Sequence, residues 1–105
     1  MHTATILVVE DNALNLKLAR SLLFLGGYRV LEAEDAEKGI QMAFRHRPDL
    51  ILMDLQLPGI DGLEATQVIK ENQETRKIPV VALTSYAMPG DEFKAQEAGC
   101  SGYIT

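Results

Sequence analysis

Short, almost continuously apolar runs alternate with longer segments whose apolar residues recur every three or four positions. The runs are Ile6 to Val9, Tyr28 to Leu31, Leu50 to Met53, Ile78 to Leu83, and a last one near Tyr103 and Ile104. Runs of four to six residues rich in Val, Ile and Leu read as strands buried on both faces, which is how parallel strands read. The segments between them read as helices. Leu14, Leu18, Leu22 and Leu25 form one stripe, widened by Leu16, Ala19 and Leu23, with Asn12 as N-cap and Gly26-Gly27 as the stop. Ala36, Ile40, Ala43 and Phe44 share a face of the second, which ends before Pro48. The third runs from about Asp61 to Asn72, with Leu63, Thr66 and Ile69 inward, and the fourth from about Pro89 to Ala98, closed by Gly99.

Strand-helix, four times, then a strand, is an α/β order. Right-handed crossovers turn it into a doubly wound parallel sheet with helices on both faces. The 105 residues suit one domain without repeat or linker. A 47% hydrophobic and 24% charged composition fits a folded chain. The formal charge of −5 argues against nucleic acid as a partner, because backbone binding needs clustered Lys and Arg. No run approaches the roughly 20 apolar residues of a membrane span. The apolar run at Ile6 to Val9 has no basic lead and no cleavage site, so it does not read as a signal peptide. The single thiol, Cys100, excludes an internal disulfide and points to an intracellular, cytoplasmic chain.

Ligands of such sheets bind beyond the carboxyl ends of the strands. There the sequence places Glu10-Asp11 after strand one, Asp54 after strand three and Thr84-Ser85 after strand four. Three carboxylates from neighbouring strands would converge. Two like charges about 4 Å apart repel by about 4 kcal/mol at an effective dielectric of 20, which a hard divalent cation removes. An all-oxygen ligand set suits Mg²⁺. Taken singly, Asp11 reads equally as a helix cap and Thr84 as a strand-end hydroxyl bonding nearby backbone. The combination at three strand ends is far more specific.

These residues carry a resemblance. Ile6-Leu7-Val8-Val9-Glu10-Asp11-Asn12, the stretch from Asp49 to Gly62, Ile78 to Thr84 and Ala98 to Thr105 resemble, in order and spacing, the receiver domain of two-component response regulators. The resemblance spans residues 1–105. It implies a flavodoxin-like five-stranded sheet of order 2-1-3-4-5. It implies Asp54 as phosphoacceptor, taking a phosphoryl group from a sensor histidine kinase or a histidine phosphotransfer protein. It implies Mg²⁺ (or Mn²⁺) on Asp11, Asp54 and the Gln56 carbonyl, with Glu10 assisting through water. Thr84 would bond a phosphoryl oxygen, and Tyr103 would turn inward as Thr84 moves, changing the face offered to a downstream target. The pattern resembles single-domain regulators of cell polarity and cell cycle, and receivers fused to hybrid kinases. Such a domain is a switch rather than an enzyme with a separate substrate.

Receiver domains carry a lysine directly after the position of Thr105, and then a fifth helix. The expectation is a C-terminally incomplete receiver with an apolar face bare on strand one and helix one, open to self-association, and a short last edge strand. The absent lysine favours one rival, a phosphorylation-independent metal-binding scaffold. Two others fit less well. A haloacid-dehalogenase phosphatase needs a second Asp where Gln56 stands. A flavodoxin-like nucleotide or flavin carrier needs a Ser/Thr/Gly-rich loop where Glu10-Asp11-Asn12 stands. His2 reads as terminal and His46, between Arg45 and Arg47, as a solvated helix end. Cys100, Met42, Met53 and Met88 read as packing, and Tyr86 as an exposed aromatic or part of the output face.

Overall fold

The computed structural model describes residues 3–57, 59–84 and 88–105. The readings of His2, Ser85 and Tyr86 fall on positions outside the described residues. Among the described residues five strands, β1 (Thr5–Val9), β2 (Arg29–Ala33), β3 (Leu50–Asp54), β4 (Val80–Leu83) and β5 (Gly102–Ile104), alternate with four helices. The helices are α1 (Ala13–Leu25), α2 (Ala36–His46), α3 (Gly62–Glu71) and α4 (Asp91–Ala98). All strand pairs are parallel and the order is β2-β1-β3-β4-β5, as expected.

Side-chain alternation divides the strands between two faces. Leu7, Val9, Ile51 and Met53 point to one face and form the core with Ala36 and Ala43 of α2 and Ala65 and Ile69 of α3. The approach is close: a Cβ on Gly39 of α2 would stand 2.8 Å from Val9 Cγ2. The alternate residues, Val8 and Asp54 among them, face a cleft bounded on one side by Ala19 of α1 and on the other by Ile104.

Caps set the helix ends. The side chains of Asn12, Asp35 and Asp61 accept N–H groups of Asn15, Lys38 and Glu64 at 3.0, 2.8 and 2.8 Å. Several boundaries differ from expectation. Tyr28 belongs to the end of α1, because Gly27 is left-handed (φ 86°) and the Tyr28 N–H donates to the Leu23 carbonyl. β2 therefore starts at Arg29. Pro79 has no N–H to give β4 and serves only as acceptor, from the Ile51 N–H at 2.9 Å, so the strand starts at Val80. Gly90 is left-handed (φ 87°) and α4 starts after it rather than at Pro89.

The expected bare apolar face is found on α1 but not on β1, whose Ile6, Leu7, Val8 and Val9 are all buried. Leu14, Leu18, Leu22 and Leu25 are all exposed, Leu25 at 82%, and no residue of α1 is fully buried. The helix turns its flanking residues Leu16, Ala19 and Leu23 partly inward instead. Met88 is also exposed rather than packed, while Met53 is buried and Met42 packs on the core. His46 is exposed at the end of α2, as expected. Cys100 is half-buried, its thiol pushed up from the usual cysteine value, first by burial.

Candidate functional site

Register builds the site. Val9 pairs with Met53, so Glu10 and Asp54 are the next residues on adjacent strands. Asp54 pairs with Leu83, so Thr84 follows on β4. The Glu10 N–H donates to Ala33 O, the Leu55 N–H to Leu83 O and the Thr84 N–H to Ile104 O, each at 3.0 Å. Each functional residue thus rides on a strand end anchored to its neighbour.

Glu10, Asp54 and Thr84 are buried, and Asp11 is exposed at the rim. One carboxylate oxygen each from Glu10, Asp11 and Asp54 lies within 4.8 Å of the others. The three expected carboxylates therefore do converge. Gln56 donates its N–H to Asp54 Oδ1 at 2.9 Å. That bond leaves Oδ2 as the second acceptor oxygen of the carboxylate. Burial, and after it the Asp54 charge, hold the Glu10 carboxyl above the usual glutamate value. The Asn12 N–H and Asn15 Nδ2 donate to Glu10 Oε1 at 3.2 and 3.4 Å and partly offset this.

Two buried carboxylates and one at the rim offer hard oxygen donors of the kind that suit a divalent cation. Among the described residues, Glu10, Asp11 and Asp54 could hold a hard divalent cation such as Mg²⁺, and Glu10 is steadied by its two amide donors. A cleft of about 240 Å³ leads from Glu10, Asn15, Asp54 and Thr84 down to Val8, Leu83 and Ile104. Tyr103 is half-buried on the edge strand, level with Ala82 and so two residues before Thr84. Its phenol is raised from the usual tyrosine value, first by loss of water and then by the charges of Asp91 and Glu92.

Two residues at the site were not singled out from the sequence. Asn15 steadies Glu10 from the first turn of α1; its spacing of five from Glu10 across an N-cap was the available signal. Gly62 lies against the backbone of Asp54, with no signal beyond its position at a helix start.

A doubly wound parallel sheet with an acidic site at the switch point between β1 and β3 defines a flavodoxin-like domain. Comparison with known proteins carries this further. Residues 6–105 match the response regulator receiver domain family. The polar-differentiation response regulator DivK of Brucella ovis is 45% identical over 103 residues, spanning 98% of this chain and 84% of that protein. The receiver domain of sensor histidine kinase PA1611 from Pseudomonas aeruginosa PAO1, with magnesium ion coordinated in the active site cleft, is 38% identical and has a TM-score of 0.90, over 99% of this chain and 85% of that chain. The Mn(2+)-bound form of response regulator Rcp1 is 31% identical with a TM-score of 0.84, over 97% of this chain and 80% of that chain.

The chain belongs to the response regulator receiver domain family. It is a receiver domain of two-component signalling, a phosphoacceptor switch rather than a classical enzyme. Members of the family act between histidine kinases and downstream targets. Among the described residues no helix is long and apolar enough to cross a membrane.

Proposed function

We propose that Asp54 accepts the phosphoryl group, from a phosphohistidine of a sensor kinase or histidine phosphotransfer protein. The observation that carries this is the convergence of Glu10, Asp11 and Asp54 within 4.8 Å, with one Asp54 oxygen held by the Gln56 N–H. Asp54 Oδ2 attacks phosphorus in line. The O–P bond forms as the P–N bond breaks, and the bonding pair stays on the donor's imidazole nitrogen. Asp54 and Asp11 would hold Mg²⁺ or Mn²⁺ together with the Gln56 carbonyl, and Glu10 through water; when bound, the cation supplies positive charge that offsets repulsion between nucleophile and phosphoryl oxygens. Glu10 is fixed by Asn15 and the Asn12 N–H, so the acid cluster is positioned before a donor arrives.

Modification adds about −1.5 to −2 of charge, taking phosphoserine as a guide. The Thr84 hydroxyl is the neighbouring donor on β4 that answers it. Tyr103 follows Thr84 through the β4–β5 pairing, and the face around α4 and β5 presents the result to a downstream target. The chain promotes its own modification and turns over no separate substrate. A cytoplasmic location goes with this reading, and the free thiol of Cys100 fits a reducing compartment. The exposed leucines of α1 are the surface through which a second copy would associate; a sedimentation coefficient that is independent of concentration refutes that association.

Intact-protein mass after incubation with acetyl phosphate, with and without Mg²⁺, tests the main reading. The expected result is a Mg²⁺-dependent gain of one phosphoryl group that is lost in Asp54→Asn. A folded chain that binds Mg²⁺ and gains no mass establishes the rival, a phosphorylation-independent metal-binding scaffold.

A further inference from the structure

α3 starts at Gly62, and its first turn rests on the strand end that carries Asp54. A Cβ on Gly62 would overlap the Asp54 carbonyl oxygen, and would stand 2.9 Å from the Asp54 carbonyl carbon and 3.0 Å from Leu55 Cα. All three are backbone atoms, so no rotamer relieves the overlap. Gly62 is not among the glycines with positive φ, so conformation does not ask for glycine here. Helix propensity asks for alanine, by about 1 kcal/mol in a helix interior. Close approach alone explains the residue. The α-hydrogen that stands where Cβ would be points at the Asp54 carbonyl oxygen, a weak C–H···O contact.

The turn is also pinned from its far side. The buried Thr66 hydroxyl donates to the Gly62 carbonyl at 2.7 Å, and Asp61 caps the Glu64 N–H at 2.8 Å. The peptide between Asp54 and Leu55 is therefore held on two sides. β4 holds its N–H through Leu83 O at 3.0 Å, and α3 blocks its carbonyl. That peptide is planar and rigid. Displacing the carbonyl must turn the whole plane and with it the Leu55 N–H, at the head of the turn in which the Gln56 N–H orients the Asp54 carboxylate at 2.9 Å.

We propose that Gly62 is a positioning residue for Asp54: the seat of the first turn of α3 on the Asp54 carbonyl sets the direction of the acceptor carboxylate and of residues 55–57 after it. The inference rests on the reading of Asp54 as the phosphoacceptor. Gly39 supplies a matched control. It is also a helical glycine pressed on a strand, but its Cβ would meet the side chain of Val9, at 2.8 and 3.0 Å, rather than acceptor backbone.

The test compares Gly62→Ala with Gly39→Ala in the full chain. Both are expected to lose stability. Only Gly62→Ala is expected to shift the Gln56 amide resonance and to weaken Mg²⁺ binding by calorimetry, by about tenfold or more, the scale on which supporting residues tune metal sites. Its maximal rate of phosphorylation by acetyl phosphate should fall with the half-saturating donor concentration little changed. Equal Mg²⁺ affinities and an unmoved Gln56 amide in Gly62→Ala overturn the inference. Should Gly62→Ala not fold, the unsubstituted chain decides. Saturating Mg²⁺ should shift the Gly62 α-protons and leave those of Gly39 in place, and unresponsive Gly62 protons overturn the inference. An unsubstituted chain that binds Mg²⁺ but takes no phosphoryl group overturns the phosphoacceptor reading instead, while the Mg²⁺ and amide comparisons still decide the role of Gly62.

Discussion

Removing one charge from the buried acid pair should make the protein more stable. Glu10 and Asp54 are both buried and present oxygens within 4.8 Å of each other. Two unit charges at that separation repel by about 3.5 kcal/mol at an effective dielectric of about 20. Water at the rim beside the exposed Asp11 reduces what folding feels to about 1–2 kcal/mol. Asp54→Asn removes the repulsion and keeps an amide oxygen for the Gln56 N–H. For a domain of this size each kcal/mol moves the midpoint by roughly 4–8 °C, so the melting temperature should rise by about 4–16 °C. The assay is thermal unfolding near pH 8 in a chelator, repeated in excess Mg²⁺. A cation that binds only the folded parent would, at a hundred times its dissociation constant, add about 2.7 kcal/mol, enough to reverse the order. An Asp54→Asn variant no more stable than the parent in chelator, or one whose advantage Mg²⁺ leaves unchanged, refutes the reasoning.

Three other outcomes follow from the same geometry. Glu10 holds its proton to a higher pH when folded than its ordinary value of 4.5, so the folded state binds more protons in that window. Without metal, stability should fall as pH rises through it, and urea midpoints should show the fall disappear in Glu10→Gln. Ile69 is fully buried between α3 and the sheet, and Ile69→Ala should cost about 2–5 kcal/mol by urea titration. Asp35 caps α2 through the Lys38 N–H at 2.8 Å, and Asp35→Ala should cost about 1 kcal/mol without changing Mg²⁺ affinity.

The site was legible because polar residues that follow buried apolar runs can lie nowhere but at a sheet edge. The strand order that the resemblance implied then brings Glu10 and Asp54 side by side, with no need to see either side chain. The bare face of α1 was expected from the family resemblance and not from periodicity. Periodicity reveals that one face of a helix is apolar, but not whether anything rests on it, and among the described residues nothing buries Leu14, Leu18, Leu22 or Leu25. Boundaries failed where a backbone group, not a side chain, decided them: the Tyr28 N–H turned back to Leu23, and the missing N–H of Pro79. Gly62 was invisible because its meaning is the nearness of Asp54, eight positions away in sequence and fixed only by tertiary packing.

The strand order also divides the site by stiffness. β1 is bonded on both sides, to β2 and β3, and β3 to β1 and β4, whereas the three-residue β5 has β4 alone. Amide hydrogens of β1 and β3 should therefore exchange only with global unfolding, and those of β5 through local fraying. The carboxylates of Glu10 and Asp54 are mounted on the slow half. Tyr103, on β5, sits where the sheet yields first, and Thr84 borders it at the end of the doubly bonded β4. A small charge event on the rigid half can then be read as a large displacement on the compliant one, because the lattice of bonds that must give way thins in that direction.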